Sequence, residues 1–307
     1  KGRHYHVCDE QSGFIIVQDD TKHFTLHATV DDESLFGTNL DQAERQSRSI
    51  FVEDRFSAEV GNGELELSAG VRYDDFEEFG SETSPRLSAG WSVGTVRARV
   101  AWGEAFRAPS IGDLFYPFFG NPDLGAERSQ SWEAGVDWSG AKGSISATWF
   151  DNDIEDLIVF DPSTNRAENI GAATTRGLEL GARIRFGVVR LEGSWTILDT
   201  EDESTGLDLL RRPEQSGSLS VFFQHDRFST LLSAIHSGAR ADFEPVFPFS
   251  RVENDGYTVV DLDLKYETGP TLVPYLRIEN LLDEEYQEVL GFPAPPRRAI
   301  IGLRYIR

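Results

Sequence analysis

The chain has 307 residues, and its 52 acidic and 29 basic side chains give a net charge of −23 at pH 7. A chain this acidic repels phosphate backbones, so nucleic acid is excluded as a partner. No stretch approaches the roughly 18 consecutive apolar residues of a membrane helix, so a helical span is excluded as well. The single cysteine, Cys8, has no second thiol in the chain with which to form a disulfide.

Apolar residues recur along the chain with a period of two, which is the pattern of a β-strand with one apolar and one polar face. In the run GELELSAGVRY, one face carries Leu65, Leu67, Ala69, Val71 and Tyr73. The runs TVRARVAW, SWEAGVDW and GLELGARIRF alternate in the same way. With the weaker runs included, the sequence predicts an all-β fold of about fifteen strands.

Short and long connections alternate between the predicted strands. The short ones are typical of hairpin turns and lie at residues 61–63, 92–95, 139–143, 186–189, 225–227 and 267–271. The long ones are polar or aromatic and lie at residues 104–129, 151–173, 199–212, 238–255 and 282–297. Because alternate connections of a meander emerge at the same edge, we expect all the long loops on one rim.

Such a meander is typical of a transmembrane antiparallel up-and-down β-barrel, whose strands turn apolar side chains to lipid and polar ones to the lumen. The polar faces carry charges that a dry core would not tolerate, at Glu64, Glu66, Arg97, Arg99, Glu133, Asp137, Glu179, Arg183, Arg185, Arg190 and Glu192. Aromatic residues near strand ends, such as Trp138 and Tyr266, fit the interfacial belts of such barrels. A soluble all-β protein with aromatic strand ends is the alternative.

Three stretches resemble TonB-dependent outer-membrane receptors, and most closely their cobalamin-receptor-like branch. They are AWGEAFRAPSIGDLFYPFFGNPDLGAERSQSWEAGV, LLRRPEQSGSLSVFF and YLRIENLLDEEYQEVLGFPAPPRRAIIGLRY. The third contains the pattern N-L-x-D-x-x-Y, from Asn280 to Tyr286, which is common in that family. The resemblance covers residues 47–307 and agrees with the fold expected from the alternation.

The resemblance implies a barrel of about 22 strands whose lumen is filled by an N-terminal plug domain. Since only about fifteen strands are predicted, we expect residues 1–307 to form the C-terminal part of such a barrel, without the plug and the first strands. The odd strand count supports the same expectation. Barrels of this class have an even number of strands because both ends lie in the periplasm, so an odd count indicates that strands are missing. The start of the chain, which shows neither Met nor a signal peptide, fits the same expectation.

The function that the resemblance implies is uptake of a scarce nutrient, cobalamin or a ferric siderophore, across the outer membrane of a Gram-negative cell. TonB would deliver the energy by contacting the receptor's TonB box, which belongs to the missing N-terminal plug segment. The other expected partners are the small-molecule nutrient and outer-membrane lipid. A passive porin or a surface adhesin barrel is the alternative, and either would have no plug and an even number of strands.

The long loop after the strand TVRARVAW concentrates aromatic side chains in the stretch FYPFF. We predict that Phe115, Tyr116, Phe118 and Phe119 bind the nutrient, because exposed apolar surface of this kind marks contact with a ligand. The alternative is that these rings pack against neighbouring loops and the plug, with a turn at the Gly-Asn-Pro sequence. In the loop ADFEPVFPFSR, Phe243 and Phe247 are further candidates for substrate binding.

Neither an enzyme activity, a cofactor nor a bound metal is expected. A barrel-embedded hydrolase would need a Ser, His and acid grouping, but Ser110 and Ser131 have no histidine nearby in sequence. His4 and His6 could share one strand face as a metal pair, although solvated residues at a chain end explain them better. The acidic runs DDFEE and DTEDE are candidate Ca²⁺ ligands that lack the alternating spacing of a dedicated loop.

Overall fold

The computed structural model describes residues 4–6, 12–18, 22–37, 40–76, 80–161, 163–269 and 271–305, with side chains for residues 24–29 and, within those ranges, from 46 onward. Cys8 and the side chains of His4 and His6 lie outside this description. The chain divides into two compact units. Unit 1 comprises Lys1–Val136, Phe150–Thr175 and Glu201–Leu207, and unit 2 comprises Asp137–Trp149, Arg176–Thr200 and Asp208–Arg307.

The described residues are mostly β-structure, as the alternation predicts. Because residues 4–37 form three strands, the count is one above the expected fifteen, and this even number does not support the parity argument for missing strands. The main sheet contains 16 described strands. These are β1 (His4–His6), β2 (Ser12–Gln18), β3 (Lys22–Gly37), β4 (Leu40–Val60), β5 (Gly63–Phe76), β6 (Gly80–Val93), β7 (Val96–Arg107), β8 (Glu127–Gly140), β9 (Gly143–Glu155), β12 (Ala172–Phe186), β13 (Val189–Asp202), β14 (Gln215–His225), β15 (Phe228–Ser237), β18 (Tyr257–Tyr266), β19 (Leu272–Glu279) and β22 (Arg298–Tyr305). Separate hairpins are formed by β10 (Ile158–Asp161) with β11 (Arg166–Asn169), β16 (Arg240–Phe243) with β17 (Arg251–Asn254), and β20 (Gln287–Val289) with β21 (Phe292–Pro293).

In unit 1, the strands pair antiparallel in chain order from β1 to β7. The register brings the predicted apolar positions into rows, with Leu67 opposite Ala89 and Ala69 opposite Leu87. Since residues of one parity share a face of the sheet, these rows form a continuous apolar face. Leu67 stays 43% exposed and Leu87 54% exposed, so the described part of the chain does not cover that face.

In unit 2, the strands β13, β14, β15, β18, β19 and β22 pair antiparallel in that order. The apolar face again shows in the register, where Leu232 lies opposite Leu262. At the short-turn end of this face, the ring centroids of Phe223 and Phe228 are 6.2 Å apart, and Tyr266 lies opposite Phe228. Aromatic residues at this level are typical of the boundary between lipid and water.

The polar faces of both units carry predicted charges as ion pairs between strands. In unit 1, Arg97 of β7 pairs with Glu66 of β5. In unit 2, Arg183 Nε lies 2.9 Å from Glu192 Oε1. These side chains remain largely exposed, so each pair adds little stability, but together they mark this face as one that meets water or polar protein.

The connections alternate as the sequence predicts. The short turns cover residues 61–62, 94–95, 141–142, 187–188, 226–227 and 267–271, and the long loops cover residues 108–126, 156–171, 203–214, 238–256 and 280–297. The loop at 108–126 contains a short helix, α1 (Ile111–Phe115). Among the described residues, no helix has the length and hydropathy needed to cross a membrane.

Candidate ligand-binding loops

The first loop cluster, in unit 1, consists of the loop at residues 108–126 and the hairpin β10–β11. Its helix α1 begins after Ser110, whose Oγ accepts a hydrogen bond from the backbone N–H of Asp113 at 3.0 Å. The Asp113 carboxylate accepts in turn from the backbone N–H of Ser110 at 2.9 Å, which completes a capping box. The local sequence Ser-Ile-Gly-Asp therefore starts the helix that leads into the aromatic stretch.

An ion pair closes the base of the first loop cluster. Arg107 donates two hydrogen bonds to Glu127, from Nε at 2.6 Å and from Nη2 at 2.5 Å. Glu127 is buried, and its Oε1 also accepts the backbone N–H of Ile158 at 2.6 Å. Charge-assisted bidentate contacts are among the stronger hydrogen bonds in proteins. This one joins the two ends of the loop to each other and to β10.

A small apolar core fixes the loop to the hairpin. Leu114 and Leu124 pack with Ala167, and Ile158 adds contact from β10. The backbone N–H of Ala167 also donates to the carbonyl oxygen of Phe119 at 3.2 Å. Because apolar burial and backbone pairing act on the same short segment, the aromatic stretch has a defined support.

The four predicted aromatic residues of this loop lie at its surface in different settings. Phe119 has its ring centroid 5.9 Å from that of Tyr116 and 6.0 Å from that of Phe160 in the hairpin. Phe118 is 84% exposed, whereas Phe115, Tyr116 and Phe119 are 44, 55 and 41% exposed. The structure thus brings Tyr116 and Phe119 together with Phe160, as packing on a neighbouring loop requires. Contact of any of these rings with a nutrient stays a prediction.

Phe118 combines the greatest exposure of this group with an unusual backbone. Its φ of +72° lies in the left-handed region, which bulky side chains rarely adopt. Its carbonyl oxygen accepts a hydrogen bond from Asn165 Nδ2 at 3.4 Å. Nearby, a side chain at Gly120 would place a Cβ only 2.6 Å from the carbonyl oxygen of Leu114. Backbone strain of this kind is frequent in segments that contact ligands.

The second loop cluster comprises three loops of unit 2, at residues 208–214, 238–256 and 280–297. Asp242 is its central residue and is fully buried. Its Oδ1 accepts hydrogen bonds from Arg211 Nε and from the backbone N–H of Phe243, both at 2.9 Å. Its Oδ2 accepts the backbone N–H of Leu290 at 2.9 Å. One carboxylate therefore joins all three loops.

The hydrogen bonds to Asp242 also set its charge. Burial raises the pKa of the carboxyl group. The backbone N–H groups of Leu290 and Phe243 and the guanidinium of Arg211 together lower the pKa by more than burial raises it. The net pKa lies below the ordinary value for Asp. Asp242 is therefore ionised at neutral pH, in the form that accepts all three hydrogen bonds.

Two more buried polar side chains hold the second loop cluster. Arg240 Nη2 donates to the carbonyl oxygens of Gln287 and Glu288, both at 2.7 Å, and its guanidinium lies 5.5 Å from the ring centroid of Tyr257. Asn254 Nδ2 donates to the carbonyl oxygen of Gln287 at 3.1 Å. These donors fix β20 against the hairpin β16–β17. The positive charge of Arg240 is thereby directed at backbone oxygen atoms.

The motif N-L-x-D-x-x-Y forms a compact turn in the second loop cluster. Asn280 is buried; its Nδ2 donates to the carbonyl oxygen of Glu284 at 2.9 Å, and its Oδ1 accepts the N–H of Glu284 at 2.8 Å. Asp283 Oδ1 accepts the backbone N–H of Arg297 at 2.9 Å. The Asn and Asp of the motif therefore stabilise the loop, since their side chains bond to its own backbone.

The two candidate residues of this cluster differ in accessibility. Phe247 is 82% exposed, and its ring makes an edge contact with Phe249, with centroids 6.1 Å apart. Phe243 is half-buried, and its backbone N–H is held by Asp242. The ring of Phe247 is open to solvent, whereas Phe243 lies closer to the supporting network. Binding of substrate by either residue stays a prediction.

A cleft of about 470 Å³ opens in the second loop cluster, and neither Phe243 nor Phe247 lines it. Its lining is acidic and includes Glu253, Asp255, Asp283, Glu284, Glu285 and Tyr286. Burial raises the pKa of Tyr286, and the nearby carboxylate of Glu288 adds to the effect. The phenol therefore stays protonated well above neutral pH and is a hydrogen-bond donor at the edge of the cleft.

The catalytic and metal candidates do not assemble among the described residues. Ser110 Oγ caps helix α1. No group of three or more His, Cys, Asp or Glu side chains in the described ranges could hold a metal ion. In the acidic run DDFEE, Asp74 is buried and accepts hydrogen bonds from Arg72 at 2.7 to 3.0 Å, while Glu77 and Glu78 lie outside the described residues.

Sequence reasoning missed the residues that support both clusters. Arg107 and Glu127 had a detectable signal, because opposite charges stand at the two ends of one aromatic loop. Asp242 and Arg240 had no such signal in the sequence. Leu290 lies 48 residues after Asp242, and Gln287 and Glu288 lie 47 and 48 residues after Arg240. Phe160 likewise lies in a different loop from the rings it contacts. Local pattern therefore identified the exposed aromatic residues but not what holds them.

Comparison with known proteins identifies the family. A family model described as TonB dependent receptor-like, beta-barrel, matches residues 16–281. The chain therefore belongs to the TonB-dependent receptor family, which confirms the resemblance, the predicted class of antiparallel β-barrel and the outer-membrane location. This is a family of receptors and transporters, not a class of enzymes. Among its relatives, the vitamin B12 transporter BtuB of Vibrio cholerae is 30% identical over 244 residues, which cover 78% of this chain and 39% of that transporter.

Solved structures share the fold at low sequence identity. The ferric enterobactin receptor PfeA of Pseudomonas aeruginosa superposes with a TM-score of 0.77 at 17% identity, covering 96% of this chain and 53% of PfeA. The siderophore receptor PirA of Acinetobacter baumannii gives a TM-score of 0.76 at 17% identity, covering 96% and 53%. The chain thus spans about half of these structures and 39% of BtuB.

Proposed function

We propose that this chain is the C-terminal barrel portion of a receptor that takes up a scarce nutrient across the outer membrane with energy delivered by TonB. In this proposal, contact with TonB belongs to a plug domain N-terminal to these strands. The long loops hold the nutrient in one state of the plug and release it in another, as any ligand-driven shift between states requires. The nutrient itself undergoes no chemical change.

The observation that carries the proposal is the presence of exposed aromatic side chains on firmly held loops. Phe118 and Phe247 are more than 80% exposed, although each belongs to a loop with buried anchors. Phe115, Tyr116, Phe119 and Phe243 complete the proposed substrate-binding set. Aromatic surface on a rigid support binds a bulky ligand at little entropic cost, because little of it has to be ordered on binding.

The charge of the loops favours a neutral nutrient over an anionic one. The five long loops contain 16 acidic and 6 basic residues, whereas the six short turns contain 2 of each. Ferric catecholate siderophores are polyanions and would be repelled by these loops. Cyanocobalamin is uncharged, and its size and apolar surface suit exposed aromatic rings. Between the two nutrient classes, we therefore favour cobalamin or a related corrinoid.

The basic residues of the loops offer few free donors for an anionic ligand. Arg211 donates to Asp242, Arg240 to two backbone carbonyls, and Arg297 to Asp283. Arg251 donates to the carbonyl oxygen of Asp208 at 2.5 Å. Since a guanidinium bonded to the protein's own oxygen atoms must lose those bonds to bind an anion, the local preference is again for an uncharged ligand.

Uptake of labelled cyanocobalamin by cells that express the full-length protein tests this proposal. We expect uptake that requires TonB and that falls at least about tenfold when Phe118 and Phe119 are both replaced by Ala. Phe228→Ala, an exposed aromatic residue beside a short turn, is the matched control and should leave uptake unchanged. Surface levels of each variant must be equal. Uptake that persists without TonB would support a passive pore instead.

A further inference from the structure

Unit 2 contains a basic pocket at the short-turn end of its polar face. The pocket has a volume of about 420 Å³ and is lined by Arg185, Arg190, Phe222, Gln224, Ser229 and Lys265, among others. It lies beside the turns at 187–188 and 226–227, at the opposite end of the strands from the long loops. In barrels of this class, short turns face the periplasm. The pocket therefore opens on the side away from the proposed nutrient site.

Strand register places the pocket on the polar face. Arg190 lies opposite Phe222, and Gln224 lies opposite Ser229, which in turn lies opposite Lys265. The residues of the other parity at this level are the aromatic Phe223, Phe228 and Tyr266 of the apolar face. The cationic groups thus point away from lipid, so a lipid headgroup on the apolar face cannot reach them.

The cations of the pocket exceed the anions available to neutralise them. Glu192 Oε1 is shared by Arg183 Nε at 2.9 Å and Arg190 Nε at 3.2 Å. Asp263, which also lines the pocket, pairs instead with Arg277 at 2.9 Å.

Two other cations of the pocket, Arg185 and Lys265, differ from Arg190 in their pairing. Among the described residues, none forms an ion pair with Arg185 or Lys265. A local cationic excess is unexpected in a chain of net charge −23, and uncompensated cations grouped in a concave site attract anions.

Arg190 is already oriented for binding. Its guanidinium carbon lies 4.2 Å from the ring centroid of Phe222, so the flat group rests on the ring while Glu192 contacts Nε. Within the described part of the chain its Nη atoms form no hydrogen bond, so they remain for a further acceptor. A guanidinium held against a ring in this way presents donors that match the two oxygen atoms of a carboxylate.

We propose that the basic pocket binds an acidic peptide segment carrying two or more Asp or Glu side chains. Arg185, Arg190 and Lys265 lie on β12, β13 and β18, so they can contact carboxylates spaced along an extended segment, and Phe222 provides an apolar floor. This site is separate from the nutrient-binding loops and does not depend on the proposed function.

The test is binding of a fluorescent hexaglutamate peptide to the protein extracted from outer membranes in detergent, followed by anisotropy at low ionic strength. We expect saturable binding that weakens at least roughly tenfold in the double variant Arg185→Gln with Lys265→Gln. Arg297→Gln with Arg298→Gln is the matched control: it also removes two positive charges from unit 2, but at the long-loop end, where Arg297 pairs with Asp283 at 3.3 Å and Arg298 with Glu279 at 2.6 Å. It should leave the affinity within about twofold.

Two further probes make the outcome decisive. Hexalysine should not bind, and phosphatidylglycerol micelles should not displace hexaglutamate. Equal affinity in the double variant and the unmodified protein would overturn the proposal, as would binding of phosphatidylglycerol without hexaglutamate. Since Arg185 and Lys265 make no ion pair within the described residues, their loss should not prevent folding. The shift in electrophoretic mobility on heating checks this for every variant.

Discussion

The two loop clusters expose aromatic side chains on supports of different chemistry. In the first, Leu114 and Leu124 form an apolar core, with one ion pair at its base. In the second, Asp242, Arg240 and Asn254 are buried polar groups bonded mainly to backbone atoms. An apolar core loses stability in proportion to the surface removed, whereas a buried polar network leaves unpaired groups when one member is lost. The second cluster should therefore be the more sensitive of the two to single substitutions.

The largest effect is expected for Asp242→Ala. The substitution leaves the N–H groups of Phe243 and Leu290 without their acceptor and Arg211 without its carboxylate, at a cost of about 3 kcal/mol. Amide hydrogen exchange followed by mass spectrometry should show faster exchange in the second loop cluster and an unchanged exchange rate in the first. Asp226→Ala, at an exposed turn, is the control. Unchanged exchange in Asp242→Ala would show that the carboxylate does not join the loops.

A somewhat smaller effect is expected for Leu124→Ala in the first loop cluster. Removing this buried side chain from its contacts with Leu114 and Ala167 should cost about 2 to 3 kcal/mol of local stability. Exchange should rise in the loop at 108–126 and in β10–β11. Leu282→Ala, at a position 63% exposed, should change little. A larger loss here than in Asp242→Ala would reverse the comparison between the clusters.

Glu127→Gln separates charge from shape at the base of the first cluster. The amide can accept one hydrogen bond, but it loses the bidentate charged contact with Arg107, so a cost of about 1 to 2 kcal/mol is expected. The control is Glu82→Gln, whose partner Arg128 is exposed, and it should cost less than about 0.5 kcal/mol. Local exchange at Ile158, whose N–H also uses Glu127, provides the measurement. Equal effects in both variants would rule out a special role for Glu127.

Acid should loosen the second cluster through Asp242. Because the pKa of Asp242 is lowered in the folded protein, its contribution to stability is full above the ordinary Asp pKa of about 3.9 and is lost as pH falls through the lower folded value. Exchange in the second cluster, corrected for the intrinsic pH dependence, should therefore rise below about pH 4. The variant Asp242→Asn should lose this pH dependence. If it keeps the dependence, another group is responsible.

The smallest effect on stability is expected at Phe118. Phe118→Gly relieves the strain of the left-handed backbone at φ +72°. The loop of this variant should be as stable as in the unmodified protein or more stable by up to about 1 kcal/mol, whereas Phe118→Ala keeps the strain. Both variants remove the exposed ring and should weaken cyanocobalamin binding equally. Thermal unfolding and equilibrium binding of the two variants make the comparison. A difference in affinity between them would indicate that backbone geometry, not the ring, controls binding.

The strands were predictable because each residue faces one of two different environments, which leaves a period-two record in runs such as GELELSAGVRY. The alternation of short turns with long loops followed from connection length alone. The supports of those loops were not predictable, since Asp242 meets Leu290 and Asn121 meets Ala167 only after distant segments come together. Exposure of Phe118 and Phe247 agrees with their selection from sequence, and their contact with a nutrient remains to be measured.

The most direct test of the central claim is parallel equilibrium binding of cyanocobalamin and ferric enterobactin to outer membranes that contain the full-length protein. Acidic long loops with exposed aromatic residues predict saturable binding of cyanocobalamin that depends on Phe118 and Phe119, with no retention of ferric enterobactin. Retention of ferric enterobactin alone, or cyanocobalamin binding that is unaffected by loss of both rings, would contradict this account of the loops.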